Sequence, residues 1–438
     1  MARRVAITGL GAVTPLGNDV ATFWRRLLAG ESGVDFIRDF PTEALRSDVC
    51  ASVKGFEPER YLTKKEAEIY GRVTQFSLAA AVEAMDHAGL GGLMKVDVPG
   101  GEERALRGAP VDRAKVGCLM STGQGSVDIF EQQIEKSRER GPRAVSPFFI
   151  PGVMPNSGTA LVSMRFGLMG PSYNLASACA TGTHSIATGA LMIEAGLAEV
   201  MVVGGAEAAT RLNTVAGFGN ARALTRAKDG DPTRSSRPFD VDRSGFVMGE
   251  GAGVLVLEAR DHAEARGATI LGELVGYGMS SDGEHLTRPH EDGRGIRLAV
   301  EQALARAGLG PDAIDYVNPH ATSTPAGDIA EVRALRAIFG ERLATLPLSA
   351  TKSLVGHLLG GAGAVESIAV VLSLREGRVH PSLNVDTLDP ELGTVDVVRG
   401  AARDLNLRNA LKISAGFGGH NCALVFGRAE AVSQGEAR

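Results

Sequence analysis

The chain has 438 residues, with 46 lysines and arginines against 51 aspartates and glutamates, a formal net charge of −5. That weak acidity argues against nucleic acid or an anionic membrane as main partner, because such binders carry a basic excess; 44% hydrophobic and 22% charged residues instead describe a globular chain with a sizeable core. Glycine is the outlier at 56 residues, roughly twice its usual share, and aromatics make up only 5%, so small and aliphatic side chains must fill the interior.

Short apolar runs bounded by glycine alternate with longer stretches of helical period, the pattern of a mixed α/β chain. In order, the patterning predicts a buried strand over Val5–Thr8, a helix over Ala21–Leu28 after an Asn18/Asp19 cap, and a helix over Thr74–His87. A strand-like Tyr173–Ala176 precedes a helix over Gly182–Ala195, followed by strands at Val200–Val203 and Gly253–Glu258. The second part opens with a strand over Ile270–Tyr277 and continues with a helix over Gly295–Ala307 and a short strand at Tyr316–Asn318. Helices over Asp328–Phe339 and Gly363–Arg375 complete it. The similar element spacing of the two parts points to a duplication meeting near residue 265, with halves 1–265 and 266–438 and no Pro/Ser-rich linker to cut them further. Gly91–Pro110, rich in glycine and charge, reads as an exposed insertion, and Ala429–Arg438 as a fraying tail.

The four cysteines, Cys50, Cys118, Cys179 and Cys422, are widely separated, without C-x-x-C or metal-type spacing, which fits a reducing compartment and no metal site. The N-terminus enters a strand-like run with no signal-peptide pattern, and there is no apolar stretch of about 18 residues, so a cytoplasmic location without membrane insertion is expected.

Four segments carry chemistry. Ala178-Cys179-Ala180-Thr181-Gly182 places Cys179 at a strand-to-helix turn, where free N–H groups and the helix dipole favour a thiolate; taken alone, a cysteine between alanines is more often a packing residue. His320 ends a short strand and is followed by Thr322, Ser323 and Thr324, while Lys352 and His357 flank a turn before a Gly-rich helix. Singly, each is more often a satisfied polar or ion-paired side chain than a catalyst; together with the thiol they point to covalent acyl chemistry. Gly416-Phe417-Gly418-Gly419 reads as an ordinary tight turn or as a backbone presenting N–H groups to an oxyanion.

The set of four, in this order, resembles the β-ketoacyl-[acyl carrier protein] synthases, condensing enzymes of fatty-acid synthesis, and among them the elongating type II form. The likeness extends through Ile7-Thr8-Gly9-Leu10-Gly11, Val202-Val203-Gly204-Gly205-Ala206-Glu207, Arg237-Pro238-Phe239-Asp240 and Gly245 to Gly253. It implies a thiolase-like fold, two βαβαβαββ halves stacked as five αβαβα layers, normally a homodimer. It further implies that Cys179 takes an acyl group from the phosphopantetheine of acyl carrier protein and that His320 and His357 stabilise the malonyl-derived enolate. The N–H groups of Cys179 and Phe417 would form an oxyanion hole, and Lys352 would pair with Glu366. Thr322, Thr324 and Thr287 would meet the pantetheine arm, Phe417 would gate the site, and Phe218, Met120 and Gln124 would line the acyl tunnel, where the polar Gln124 is unusual. No cofactor beyond the incoming phosphopantetheine and no metal are implied. Ala321, Ala415 and His420 depart from the usual pattern, and the basic docking patch is reduced to Lys64 and Lys65, with Arg222 and Arg226 as possible substitutes. Competing readings are a condensing enzyme of polyketide or specialised lipid synthesis, a CoA-dependent thiolase, a cysteine hydrolase and a non-catalytic chain-length factor. The thiolase is disfavoured because Phe417 stands where that group has a second cysteine, the hydrolase because two histidines and a lysine accompany the thiol, and the chain-length factor because Cys179, His320 and His357 are all retained.

Overall fold

The computed structural model describes residues 3–94 and 111–429. Most of the anticipated insertion and all but one residue of the tail lie outside these. Of the ten strands of the main sheet among the described residues, nine position the site: β1 (Val5–Val13), β2 (Val116–Ser121), β3 (Val200–Glu207), β4 (Gly251–Ala259), β5 (Gly272–Ser281), β6 (Tyr316–Asn318), β7 (Pro347–Leu348), β8 (Asn409–Gly416) and β9 (His420–Gly427). Six helices pack on them: α1 (Arg72–His87), α2 (Ser157–Phe166), α3 (Thr181–Glu194), α4 (Arg294–Ala307), α5 (Pro325–Phe339) and α6 (Ala362–Glu376).

Strand pairing makes the duplication explicit. In the first half β1 runs antiparallel to β4, β4 antiparallel to β3, and β3 parallel to β2, with a parallel bridge from Cys118 of β2 to Ser172 at the edge. The second half repeats each step: β5 antiparallel to β9, β9 antiparallel to β8, β8 parallel to β6, and β6 parallel to β7. The halves join where β1 meets β5 antiparallel, from Val5↔Leu274 to Ile7↔Gly272. Helices α1 and α2 cover the outer face of the first sheet, α4 with α5 that of the second, and α3 and α6 lie between. These are the five expected αβαβα layers, and Ile186, Ala190, Val365 and Ile368 form part of the central core.

Glycine sets the layer spacing. A Cβ on Gly9 or Gly11 of β1 would come within 2.2 and 1.9 Å of the Ala84 and Ala80 carbonyl oxygens of α1. The same device recurs in the second half, where Gly276 and Gly278 of β5 face the carbonyls of Ala303 and Ala299 in α4 at 2.2 and 2.0 Å. These contacts explain why β1 continues to Val13 although the apolar run ends at Thr8: its glycines are buried strand positions rather than a turn. Tyr173–Ala176 is not a ladder strand. It runs beside β2 but is tied there largely by side chains, the Leu175 N–H donating to Ser121 Oγ and the Thr122 N–H to Asn174 Oδ1. Among the described residues no helix is long and apolar enough to cross a membrane. Substituting Gly278→Ala forces α4 off the sheet and is expected to destabilise by about 2 kcal/mol or more, whereas Gly310→Ala, where an added Cβ meets nothing within 4 Å, leaves stability unchanged; denaturant titration of both variants checks this.

Candidate active site

Cys179 lies in a single 3-10 turn, Ala178–Ala180, that runs directly into α3. The turn is braced by Thr181, whose hydroxyl donates to the Ala178 carbonyl at 2.7 Å and accepts from the Ser177 N–H at 2.9 Å. Gly416 must lack a side chain, because a Cβ there would sit 2.8 Å from the Ser177 oxygen and 3.1 Å from the Cys179 nitrogen. This close approach aims the Phe417 N–H, alongside the N–H of Cys179 itself, at the sulfur. Such a pair of donors also suits a developing oxyanion. Burial pushes the Cys179 thiol up to about 11, against the charge of Lys352 and these N–H groups. The helix start does not leave a resting thiolate as the sequence led us to expect: desolvation outweighs it.

His320 follows β6, and His357 sits in the turn between a short helix, Lys352–Val355, and α6. The Cys179 Sγ and one nitrogen of each ring lie within 4.8 Å of one another, and the rings are 5.3 Å apart at 84°. The Leu359 N–H donates to His357 Nδ1 at 3.2 Å. Nδ1 is therefore an acceptor, and in the neutral ring the proton resides on Nε2, which is buried with no partner and is free to donate into the site. The backbone N–H groups of His320 and Ala321 donate to the Glu331 carboxylate at 2.6 and 2.8 Å, fixing the His320 loop. Burial first, then the charges of Lys352 and Lys412, hold both imidazoles well below their ordinary range, so they are neutral at neutral pH. Strain gathers here: Ala178, Ala321, Ser323 and Leu359 all have left-handed backbone and lie within three residues of Cys179, His320 or His357. For Ala321, at φ 34°, this gives a physical reason why glycine suits that position better.

Behind the histidines, Glu366 of α6 is clasped by two lysines: Lys352 Nζ lies 2.5 Å from one oxygen and Lys412 Nζ 2.8 Å from the other. Phe246 packs edge-on to His357 at 5.2 Å, and Phe218 bridges Phe246 and Phe417. The cleft over the thiol, about 740 Å³ counted to its open mouth, is lined by Cys179, His320 and His357 together with Thr287, Phe218, Thr322, Thr324 and Phe417. The Thr322 and Thr324 hydroxyls are 3.0 Å apart. Gln124 and Met120 are not in that lining: Gln124 is exposed with its N–H bonded to Glu207, and Met120 is buried in the core between the first sheet and its outer helices.

Sequence reasoning missed four supporting charges. Lys412 is embedded between Leu411 and Ile413 in a buried strand, and a lysine inside such an apolar run is itself the signal. Glu331 and Asp328, three apart on the inward face of α5, are pushed up to about 7 and about 6 by burial. Glu207 ends β3 and receives the Thr122 hydroxyl and the Gly123, Gln124 and Gly360 N–H groups, joining the loop after β2 to the loop before α6.

This pairing of a thiol with two donor histidines coincides with two family profiles, "Beta-ketoacyl synthase, N-terminal domain" over residues 2–263 and "Beta-ketoacyl synthase, C-terminal domain" over residues 271–386. The chain belongs to the β-ketoacyl synthase family. Among its relatives, the 3-oxoacyl-[acyl-carrier-protein] synthase 2 of Vibrio cholerae is 43% identical over 97% of this chain and 99% of its own. That of Staphylococcus aureus is 41% identical over 98% and 99%. A β-ketoacyl synthase from Burkholderia phymatum superposes with a TM-score of 0.86 at 34% identity, covering 98% of this chain and all of that one. A ketosynthase solved in complex with its type II PKS acyl-carrier protein gives 0.87 at 28% identity, again over 98% of this chain and all of that chain. The fold of the synthase is accordingly thiolase-like. Of its cysteines, Cys179 alone is partly exposed, its sulfur facing the cleft, and the other three are buried. Iodoacetamide is therefore expected to label the native synthase at Cys179 alone, at a rate rising about tenfold per unit between about pH 7 and 9 because the raised thiol is still far from its midpoint. Peptide mass spectrometry across that range checks this, and a plateau below pH 8 would place the thiol low.

Proposed function

We propose that the synthase elongates fatty-acyl chains by decarboxylative condensation of malonyl-acyl carrier protein with an acyl group held on Cys179. The observation that carries this reading is the meeting, within 4.8 Å, of a thiol and two neutral imidazoles, with two backbone N–H groups on the sulfur. In the first half-reaction Cys179 Sγ attacks the acyl-pantetheine thioester, the C–S bond to pantetheine breaks, and the Cys179 proton passes to the departing pantetheine thiolate. The N–H groups of Cys179 and Phe417 hold the tetrahedral oxyanion. In the second, malonyl loses CO2, the freed electron pair forms an enolate whose oxygen accepts from His320 and His357, and its carbon attacks the Cys179 thioester. The cysteine thiolate leaves and is reprotonated, releasing a 3-oxoacyl-carrier protein two carbons longer.

Phosphopantetheine arrives on the carrier protein, and the reaction as proposed calls for no cofactor or metal held by the enzyme. Thr322 and Thr324 are suited to the pantetheine amides and Thr287 to the mouth, since all three line the cleft. Phe417 acts as the gate, flanked by Gly418 and Gly419, whose φ of 85° and 76° places the turn in backbone space that glycine adopts freely. For carrier docking, Arg288 lines the mouth and the exposed Arg222 adjoins the lining residue Ala223. Those two arginines make up for the thin patch at Lys64 and Lys65, an acidic carrier requiring local positive charge whatever the net charge.

The working unit is a homodimer in the cytoplasm. Phe130, Phe148, Ile150 and Met154 are exposed together with Tyr173 in the extended segment at the sheet edge. An apolar face beside an open sheet edge favours a second copy. Gln124 adjoins this face, because its neighbour Gly125 lies against the Val153 carbonyl and Pro155. Sedimentation at micromolar concentration is expected to show a dimer that Ile150→Asp shifts toward monomer.

Elongation of medium- and long-chain acyl-carrier primers with malonyl-carrier protein tests the reaction, and activity on polyketide starters alone would move the enzyme to that pathway. Cys179→Ala is expected to abolish condensation, while Cys179→Gln abolishes condensation yet keeps malonyl decarboxylation, measured as CO2 release. A Gln variant that still elongates removes Cys179 as the nucleophile.

A further inference from the structure

One member of the charge cluster behind the histidines has no place in the reaction as described. Lys412 lies in the middle of β8 with its side chain fully buried, its Nζ 2.8 Å from Glu366 Oε2 and 3.0 Å from Ser414 Oγ, and it also donates to the Ile413 carbonyl. Lys352 holds the other Glu366 oxygen, and both partner side chains are 2% exposed. Burial pulls the Lys412 ammonium below its ordinary range and Glu366 holds it up; with both lysines charged, the one carboxylate between them leaves an excess positive charge in the interior. As pure scaffolding this is a poor choice, because a second buried cation adds desolvation cost that an apolar residue would avoid.

Its position explains what the excess charge does. Lys412 joins three elements that carry the site. It sits on β8, which leads into the Phe417 loop. It holds Glu366 on α6. Through Ser414, whose hydroxyl is 2.7 Å from that of Thr183, it reaches α3, the helix that begins after Cys179. With Lys352, it is also a source of positive field at both imidazoles. That field protects a specific contact. A proton added to His357 Nδ1 would face the Leu359 N–H, setting donor against donor and turning the ring away from its aim.

We propose that Lys412 is a positioning residue for the decarboxylation step, anchoring Glu366 and hence Lys352 and supplying positive charge that reinforces burial in holding His320 and His357 as N–H donors toward the enolate oxygen. The proposal rests on the ketosynthase reading of the site. The charged and titratable groups around the two rings are Cys179 on the start of α3, Lys352 on the short helix, Lys412 on β8, Glu366 on α6, Asp328 and Glu331 on α5, Glu207 at the end of β3, and Asp282 in the cleft lining. Substitution at 412 alters one of these charges and takes the lysine–glutamate cluster from +1 to neutral.

The test is the pH profile of malonyl-carrier protein decarboxylation in the full-length chain carrying Cys179→Gln, with lysine or methionine at position 412. For Lys412→Met the acid limb is expected to move up by about half a pH unit or more, with kcat at neutral pH falling roughly tenfold and KM for malonyl-carrier protein changing less than about twofold. An acid limb that stays in place in a folded Lys412→Met enzyme, or a loss expressed in KM alone, overturns the proposal. Should the single variant not fold, the same Lys-to-Met exchange is read in a Glu366→Gln background, which leaves no orphaned carboxylate. There too an upward move of the limb supports the proposal and a fixed limb overturns it. If the Cys179→Gln chain with Lys412 intact releases no CO2, the ketosynthase reading itself falls, an outcome distinct from a limb that is present but unmoved.

Discussion

The active site depends on one close approach in the central layer, where backbone meets backbone with no side chain between. A Cβ on Gly205 of β3 would sit 2.2 Å from the Gly360 carbonyl, and one on Gly182 of α3 would sit 2.9 Å from the same oxygen. Gly253 of β4 presses equally against Val365 of α6. Because α3 and α6 share that thin layer, the Cys179 sulfur at the start of the nucleophile helix and a ring nitrogen of His357 are brought within 4.8 Å. Glu207 completes the junction by accepting N–H groups from both loops. The glycine excess is thus a packing requirement before it is a conformational one.

Burial decides the protonation of everything at this junction. The same desolvation that raises the Cys179 thiol lowers the two histidines, so all three are neutral at rest. A site of this kind stores little charge between turnovers and meets charge only as it develops on substrate oxygens. The countercharges are kept one shell back, as ammonium groups on Glu366, where they bias the imidazoles without competing for the thioester.

Much of this was legible in the chain. Asp19 caps its helix as anticipated, accepting from the Thr22 N–H at 2.7 Å, and Tyr316–Asn318 has the predicted bounds. Strand lengths were underread where a strand ran on past its apolar run into glycine, since Gly9 and Gly278 look like turns until the helix lying over them is known. Tyr173–Ala176 has strand composition, but side chains of β2 and its neighbours took over the ladder bonds. Cys179, His320, His357 and Lys352 could be picked out because reactive residue types stood in Gly-rich turns. Lys412 was not, because its meaning depends on Glu366, 46 positions away in sequence and in contact only once α6 packs against β8 within the second half. Met120 shows the converse: a residue placed by family pattern in a tunnel that lies in the core of the single chain.

The hydrogen bond that sets the His357 tautomer comes from the main chain of Leu359. Its donor is common to every residue except proline, so the proton's location on the ring is insulated from ordinary substitution at that position. Side-chain change at position 359, in the buried apolar cluster that also holds Phe246 and borders Cys179, therefore leaves the electronic state of the histidine constant. Packing and protonation are carried by different atoms of the same residue.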